Sequence, residues 1–175
     1  VGETGLDYYR DLSPRAAQLF AFEKQLELAL DTGKPLFLHH REAHDDMIAI
    51  IKPIRHRLGR AVVHCFTDER RALLDYLDQD LHIGITGWIC DERRGAHLKE
   101  LVKNVPDDRL MIETDSPYLL PRDLEPKPSH RLNEPMFLPP IANAVALARN
   151  QTLDQVAQST AANAREFFTL PGIKE

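Results

Sequence analysis

Along 175 residues one unit recurs: a short apolar run, a polar group at its end, then a stretch whose apolar residues return every three or four positions. Strand followed by amphipathic helix, repeated, is the signature of a parallel α/β protein, because parallel strands need a helical crossover to come back to the same edge. The apolar runs are continuous rather than alternating, as expected for strands covered on both faces. The chain therefore predicts five parallel strands with flanking helices.

In chain order, Val1-Gly2-Glu3 reads as the end of a first strand running into a loop. Pro35–Leu38 is the second, tipped by His39, His40 and Arg41. Arg60–Val63 is the third, tipped by His64, and Leu81–Thr86 the fourth, tipped by Gly87 and Trp88. Leu110–Ile112 is the fifth, ended by Glu113, Thr114 and Asp115 and stopped by Ser116-Pro117. Helices are expected from a Ser13 cap with Pro14 in the first turn to Gly33, then over 43–57 with Pro53 late in the run. Others are expected over 69–77, 91–102, 141–149 and, capped by Thr152, 153–168, with a proline-rich loop over 121–140. The whole of 1–175 reads as a single domain.

The tips carry the chemistry. In a β/α barrel the carboxyl ends of the strands form the catalytic face. Glu3, His39, His64 and Asp115 lie at four separate tips. Neutral imidazoles suit zinc, manganese or iron, and carboxylates extend the choice to magnesium. One histidine at a strand end is an ordinary hydrogen-bonded terminus; four ligand-type residues at four tips point to a site for divalent cations, one or two of them. A doubly wound sheet would bind its ligand at a glycine-rich first turn, and Gly2 and Gly5 do not fit that fingerprint. Five units are too few for a closed eight-stranded barrel, so the expected architecture is an incomplete TIM-type (β/α) barrel.

Net charge decides which partners are excluded. At −5 the chain has no general basic field, which argues against a protein that coats DNA but not against a nuclease, whose cations supply positive charge locally. The two cysteines, Cys65 and Cys90, form no CxxC pair and suit a reducing compartment. No apolar run is long enough for a bilayer, so the expectation is a soluble, cytoplasmic protein without a membrane partner.

The ordered motifs VGETGLDYYR, PLFLHHREA, VVHCF, IGITGW and ETDSPYLLP, followed by Asn133-Glu134-Pro135, resemble the TatD-type metal-dependent deoxyribonucleases of the amidohydrolase superfamily. The resemblance runs from Val1 to Asn163. It implies a β/α barrel with two divalent ions (Mg, Mn or Zn) that hydrolyses phosphodiester bonds of DNA, single strands or 3′ ends, as a 3′-5′ exodeoxyribonuclease. By resemblance Glu3 bridges both ions, His39 and His64 hold one, and Asp115 binds the other beside the attacking water and takes its proton. Asp115 and Glu3 are thus the expected catalytic residues.

Two departures stand out. The family's first strand carries an HxH pair, which nothing here supplies, so the N-terminal strands are expected to be missing and this stretch alone to be inactive. Glu42 stands where the family commonly has aspartate. Expected substrate contacts are Arg41 and Tyr9 near the first tips and Arg122 and Arg131 in the loop after Asp115. For the three arginines an ordinary alternative stands: an ion pair of Arg41 with Glu42 or Asp45, and a solvated charged loop for Arg122 and Arg131. The competing functions are another amidohydrolase-like metallohydrolase acting on an amide, ester or lactone, or a non-catalytic fragment. Asp7 is read either as orienting a metal ligand or as holding a turn.

Overall fold

Two glycines decide how the chain begins. In the computed structural model, which describes residues 1–171, the first strand β1 is Thr4–Asp7 and not the residues before it. Val1 is already paired with the next strand, its carbonyl accepting from the Phe37 N–H at 2.9 Å. The backbones of β1 and its neighbour run so close that a Cβ on Gly5 would stand 1.8 Å from the His39 carbonyl oxygen, and one on Gly2 2.6 Å from that of Phe37. Both glycines also have positive φ, which costs a residue without Cβ little. A string that reads as a loop is therefore a strand fitted closely to its neighbour. Glu3 precedes β1 instead of tipping it.

The second strand, β2 (Leu36–Arg41), runs three residues beyond the apolar stretch because β1 continues beside it. The register is parallel, Thr4 opposite Leu38 and Asp7 opposite Arg41. His39 is thus inside the strand and not at its tip. Burial alternates along β2: Leu36, Leu38 and His40 face inward, and Phe37, His39 and Arg41 share the other, half-covered face. The third strand, β3 (Ala61–Val63), pairs in parallel with β2, and His64 follows it as expected.

The described chain divides into two compact units: residues 1–64 with 70–82, and residues 65–69 with 83 onward. The first unit holds β1, β2 and β3 with three helices. Helix α1 (Arg15–Thr32) packs on β1 through Phe22, Leu26 and Ala29, a stripe at helical spacing. Each of the two large side chains contributes roughly 1.5–3 kcal/mol by leaving water. The helix starts one residue later than expected: Pro14 is the cap, its carbonyl accepting from Ala17 and Gln18. Gly33 ends it in the left-handed conformation. Helix α2 (His44–Ile51) gives way at Lys52 to a tighter 3-10 turn through Arg57, with Pro53 at its start. Helix α3 is Arg70–Asp78, buried at Ala72, Leu73 and Tyr76.

The second unit holds β4 (His82–Ile85, whose first residue belongs to the first unit) and β5 (Leu110–Ile112), again parallel, Ile83 opposite Leu110. Helix α4 is only Ala96–Leu101, not 91–102. The Asp91 side chain accepts from the Arg93 N–H at 2.9 Å and its carbonyl from Gly95 at 2.7 Å, a local turn that outcompetes the helix. The loop after β5 ends earlier than expected, in a turn at Pro135–Phe137 leading into α5 (Leu138–Arg149). Pro139 and Pro140 are tolerated in the first turn of α5, where backbone N–H groups have no helical acceptor. Helix α6 (Leu153–Phe168) lies against β5 and α5. It opens with the reciprocal cap of Thr152 and Gln155. All five strands are thus parallel to their neighbours within each unit, with flanking helices, as the sequence predicts. No helix among the described residues is long and apolar enough to cross a membrane.

Candidate metal centre

Three of the four expected ligands meet in the first unit. The Glu3 Oε1 atom lies 2.8 Å from His39 Nδ1 and 3.2 Å from His64 Nε2. One ligand atom from each residue falls within 4.8 Å of the others. The parallel register creates this meeting. β2 delivers His39 on its half-covered face, and β3 ends beside it because the His64 N–H donates to the Leu38 carbonyl at 2.9 Å. The chain before β1 then brings Glu3 over both.

The His64 ring is 93 % buried and packs on Phe37, ring centroids 5.0 Å apart. Phe37 sits two residues before His39 on the same face of β2, a spacing that the sequence displays but that the apolar run conceals. Glu3, by contrast, is half exposed. The cluster is thus covered at His64 and exposed at the Glu3 carboxylate.

Asp7 completes the surroundings of His39. Its Oδ2 lies 3.0 Å from His39 Nε2, while its Oδ1 accepts the backbone N–H groups of Tyr9 at 3.1 Å and Arg10 at 2.7 Å. Burial acts to raise the Asp7 carboxyl, but the Arg10 N–H and the His39 hydrogen bond outweigh it, and the group titrates below the usual carboxylate range. Both readings of Asp7 hold: it orients a candidate ligand and it holds a turn. The imidazole of His39 is gripped between two carboxylates, and Glu3 Oε1 faces two ring nitrogens at once. Positive charge belongs at that oxygen. Two imidazoles and one carboxylate suit manganese, iron or zinc, and the carboxylate behind His39 is the usual support of a metal-bound imidazole.

The remaining expected residues are placed separately. Arg41 lies on the same face of β2 as His39, and its guanidinium rests on the exposed Tyr9 ring, 3.9 Å from the centroid. Asp115 is in the second unit, just after β5, half-buried and with φ 59°. Its carbonyl accepts from the Tyr118 N–H at 2.8 Å. Buried Asn133 pins this segment, donating to the Thr114 and Tyr118 carbonyls at 2.7 Å each. Arg122 is paired with Asp91, its Nε 2.9 Å from the carboxylate. Arg131 is exposed. One residue the sequence reading passed over is Glu113, whose Oε1 accepts the Cys65 N–H at 2.5 Å. His40 and His44 turn to the opposite face of β2 from His39 and meet Tyr76, ring centroids 5.5 and 5.1 Å away.

A parallel α/β framework that converges two imidazoles and a carboxylate defines the class: an α/β protein with a cluster that could hold a metal ion. The model of TatD related DNases matches residues 1–169, and the chain belongs to that family. Among curated relatives, the 3′-5′ ssDNA/RNA exonuclease TatD of Erwinia amylovora is 53 % identical over 170 residues, covering 97 % of this chain and 66 % of the relative. The protein of the same name from Edwardsiella piscicida is 54 % identical, covering 97 % and 65 %. Among solved structures, a TatD family hydrolase from Entamoeba histolytica superposes with a TM-score of 0.85 at 25 % identity, covering 96 % of this chain and 62 % of that one. A TatD homologue from Escherichia coli gives 0.84 at 26 %, covering 98 % and 64 %. The chain therefore spans just under two thirds of the length of these relatives.

Proposed function

We propose that residues 1–175 act as one domain, the carboxyl-terminal portion of a metal-dependent hydrolase barrel that removes nucleotides from the 3′ ends of single-stranded DNA. The family match over 1–169 supports this, as do relatives named for 3′-5′ exonuclease action on single-stranded DNA and RNA. The single observation that carries it is the convergence of Glu3, His39 and His64.

Glu3, His39 and His64 would hold one divalent ion, and the family resemblance implies a second beside it. Bound cations of this kind activate water and stabilise charge on the phosphoryl oxygens of the transition state. Arg41 supplies a cation for a substrate phosphate, and the exposed Tyr9 ring an aromatic surface for an unpaired base. Arg41 ends β2, the strand that carries His39, and Tyr9 follows β1. Asp115 is the proton acceptor for the attacking water, a role suited to a carboxylate. Arg131 is free to meet the nucleic-acid backbone, whereas Arg122 must first leave Asp91. Cys65 and Cys90 carry thiols and not a disulfide, which suits work in the cytoplasm.

The test follows a 3′-labelled single strand incubated with the intact protein and Mn²⁺ or Mg²⁺. Metal-dependent release of the labelled nucleotide is expected, with at least a ~100-fold loss on Glu3→Ala. Release that survives both chelation and Glu3→Ala overturns the proposal.

A further inference from the structure

Tyr118 combines a fixed backbone with an uncovered side chain. Its N–H donates to the Asp115 carbonyl at 2.8 Å, and its own carbonyl accepts from the Asn133 side chain at 2.7 Å. The next carbonyl, that of Leu119, packs so close to Gly87 that a Cβ there would approach it to 2.2 Å. Yet Tyr118 is 70 % exposed. Among the described residues no cation lies over its ring, whereas the rings of Tyr8 and Tyr9 carry Arg15 and Arg41. A single exposed apolar side chain is ordinary on any surface. Here Leu132, at 61 %, and Met136, at 68 %, are exposed in the same segment, on either side of the buried Asn133. The Asn133 N–H also donates to the Pro117 carbonyl at 3.0 Å, so the Leu132 stretch is tied to the Tyr118 stretch by backbone as well as side chain.

The charges on this segment indicate what the apolar side chains fit. Lys127 and Arg131 are exposed on it, whereas Arg122 is engaged with Asp91 and His130 lies 3.7 Å from Glu134. Exposed aromatic and aliphatic groups beside cations suit a polymer that alternates flat rings with phosphates, which is what single-stranded nucleic acid does. A base inside a duplex already has both faces stacked, so only an unpaired one can offer a face to the protein. We infer that the Tyr118 ring is a stacking platform for an unpaired nucleobase of the substrate strand, three residues along the chain from Asp115. The inference rests on the nucleic-acid reading above and adds to it a subsite in the second unit. Because the Tyr118 backbone is held before a strand arrives, little conformational freedom is lost when a base settles on the ring. Every base has such a face, so the platform is indifferent to sequence.

Fluorescence anisotropy of a labelled single strand, titrated with the intact protein in the presence of chelator, measures binding without hydrolysis. Tyr118→Ala should weaken binding roughly 5–150-fold, the range for losing one base–aromatic stack, while Tyr118→Trp keeps a ring and should retain it. Thermal unfolding of Tyr118→Ala should stay within about 2 °C of wild type, because an exposed side chain contributes little by burial. A single abasic residue, moved one position at a time from the 3′ end, should weaken wild-type binding by a similar factor at one position and change nothing there in Tyr118→Ala. A role confined to holding the loop would not make the two losses overlap in this way. Absence of wild-type binding, Tyr118→Ala binding as tightly as wild type, Tyr118→Trp binding as weakly as Tyr118→Ala, or abasic strands weakening both proteins alike overturns the inference. Metal-dependent release of the 3′ label tests the nuclease reading separately. Failure of that release, with the anisotropy results as expected, overturns the nuclease reading and leaves the platform standing.

Discussion

The β1–β2 pair and the segment from Glu113 to Glu134 both carry expected site residues, and they are ordered by opposite means. In the strand pair, position follows from register. Glu3, Asp7, His39 and Arg41 are where they are because two backbones run parallel with glycines at the close approaches. After β5 no ladder exists, and the shape of the segment depends on individual side chains: Asn133 bonded to two carbonyls, and Gly87 leaving room for the Leu119 carbonyl, which a Cβ would approach to 2.2 Å. Order through register is shared by many bonds and fails all at once. Order through one buried amide fails locally.

The largest effect is expected where register is broken. Gly5→Ala places a methyl against the His39 carbonyl at a backbone angle unfavourable to alanine. It should cost about 4 kcal/mol or more and remove Mn²⁺ binding with it. Denaturant unfolding measures the first and a Mn²⁺ titration the second; a stable, metal-binding variant would break the comparison. A smaller effect is expected in the second region. Asn133→Ala leaves the Thr114 and Tyr118 carbonyls without that donor and should cost about 2–3 kcal/mol. Hydrogen exchange should quicken in 113–134 and stay unchanged in β1 and β2, and equal loss of protection in both would again break the comparison.

The smallest effect is electrostatic and sharpens the first region alone. The Asp7 carboxyl is lowered in the folded protein from an ordinary value of 3.8. A depressed carboxylate contributes stability that is fully present above its unfolded value and is lost as pH falls through the folded one. The stability gap between wild type and Asp7→Asn should therefore be constant well above pH 3.8 and shrink below it. A gap independent of pH down to pH 2 would show that the His39 and Arg10 contacts leave Asp7 unperturbed.

Much of this was legible beforehand, and the exceptions have physical causes. The alternation of apolar runs and amphipathic stretches predicted five parallel strands, and Gly33, Pro53 and Thr152 punctuated the helices as such residues do. The identities of Glu3, His39 and His64 were readable as ligand types. Their placement was misjudged in two of three cases. Glu3 precedes its strand, and His39 is inside its own, because a strand ends where its partner stops pairing and not where its apolar residues run out. The helix expected from Asp91 was shortened by a side-chain turn that helical periodicity does not register.

By itself, then, the order of residues determined the class of fold and the chemical kinds available for a site, since periodicity and side-chain chemistry are local properties. Only the tertiary structure decided that Glu3 Oε1 faces two imidazoles, that Phe37 backs His64, and that Asp7 spends one oxygen on a turn and the other on His39. Those are relations between residues up to about sixty positions apart, and they exist only once parallel pairing has set three segments side by side.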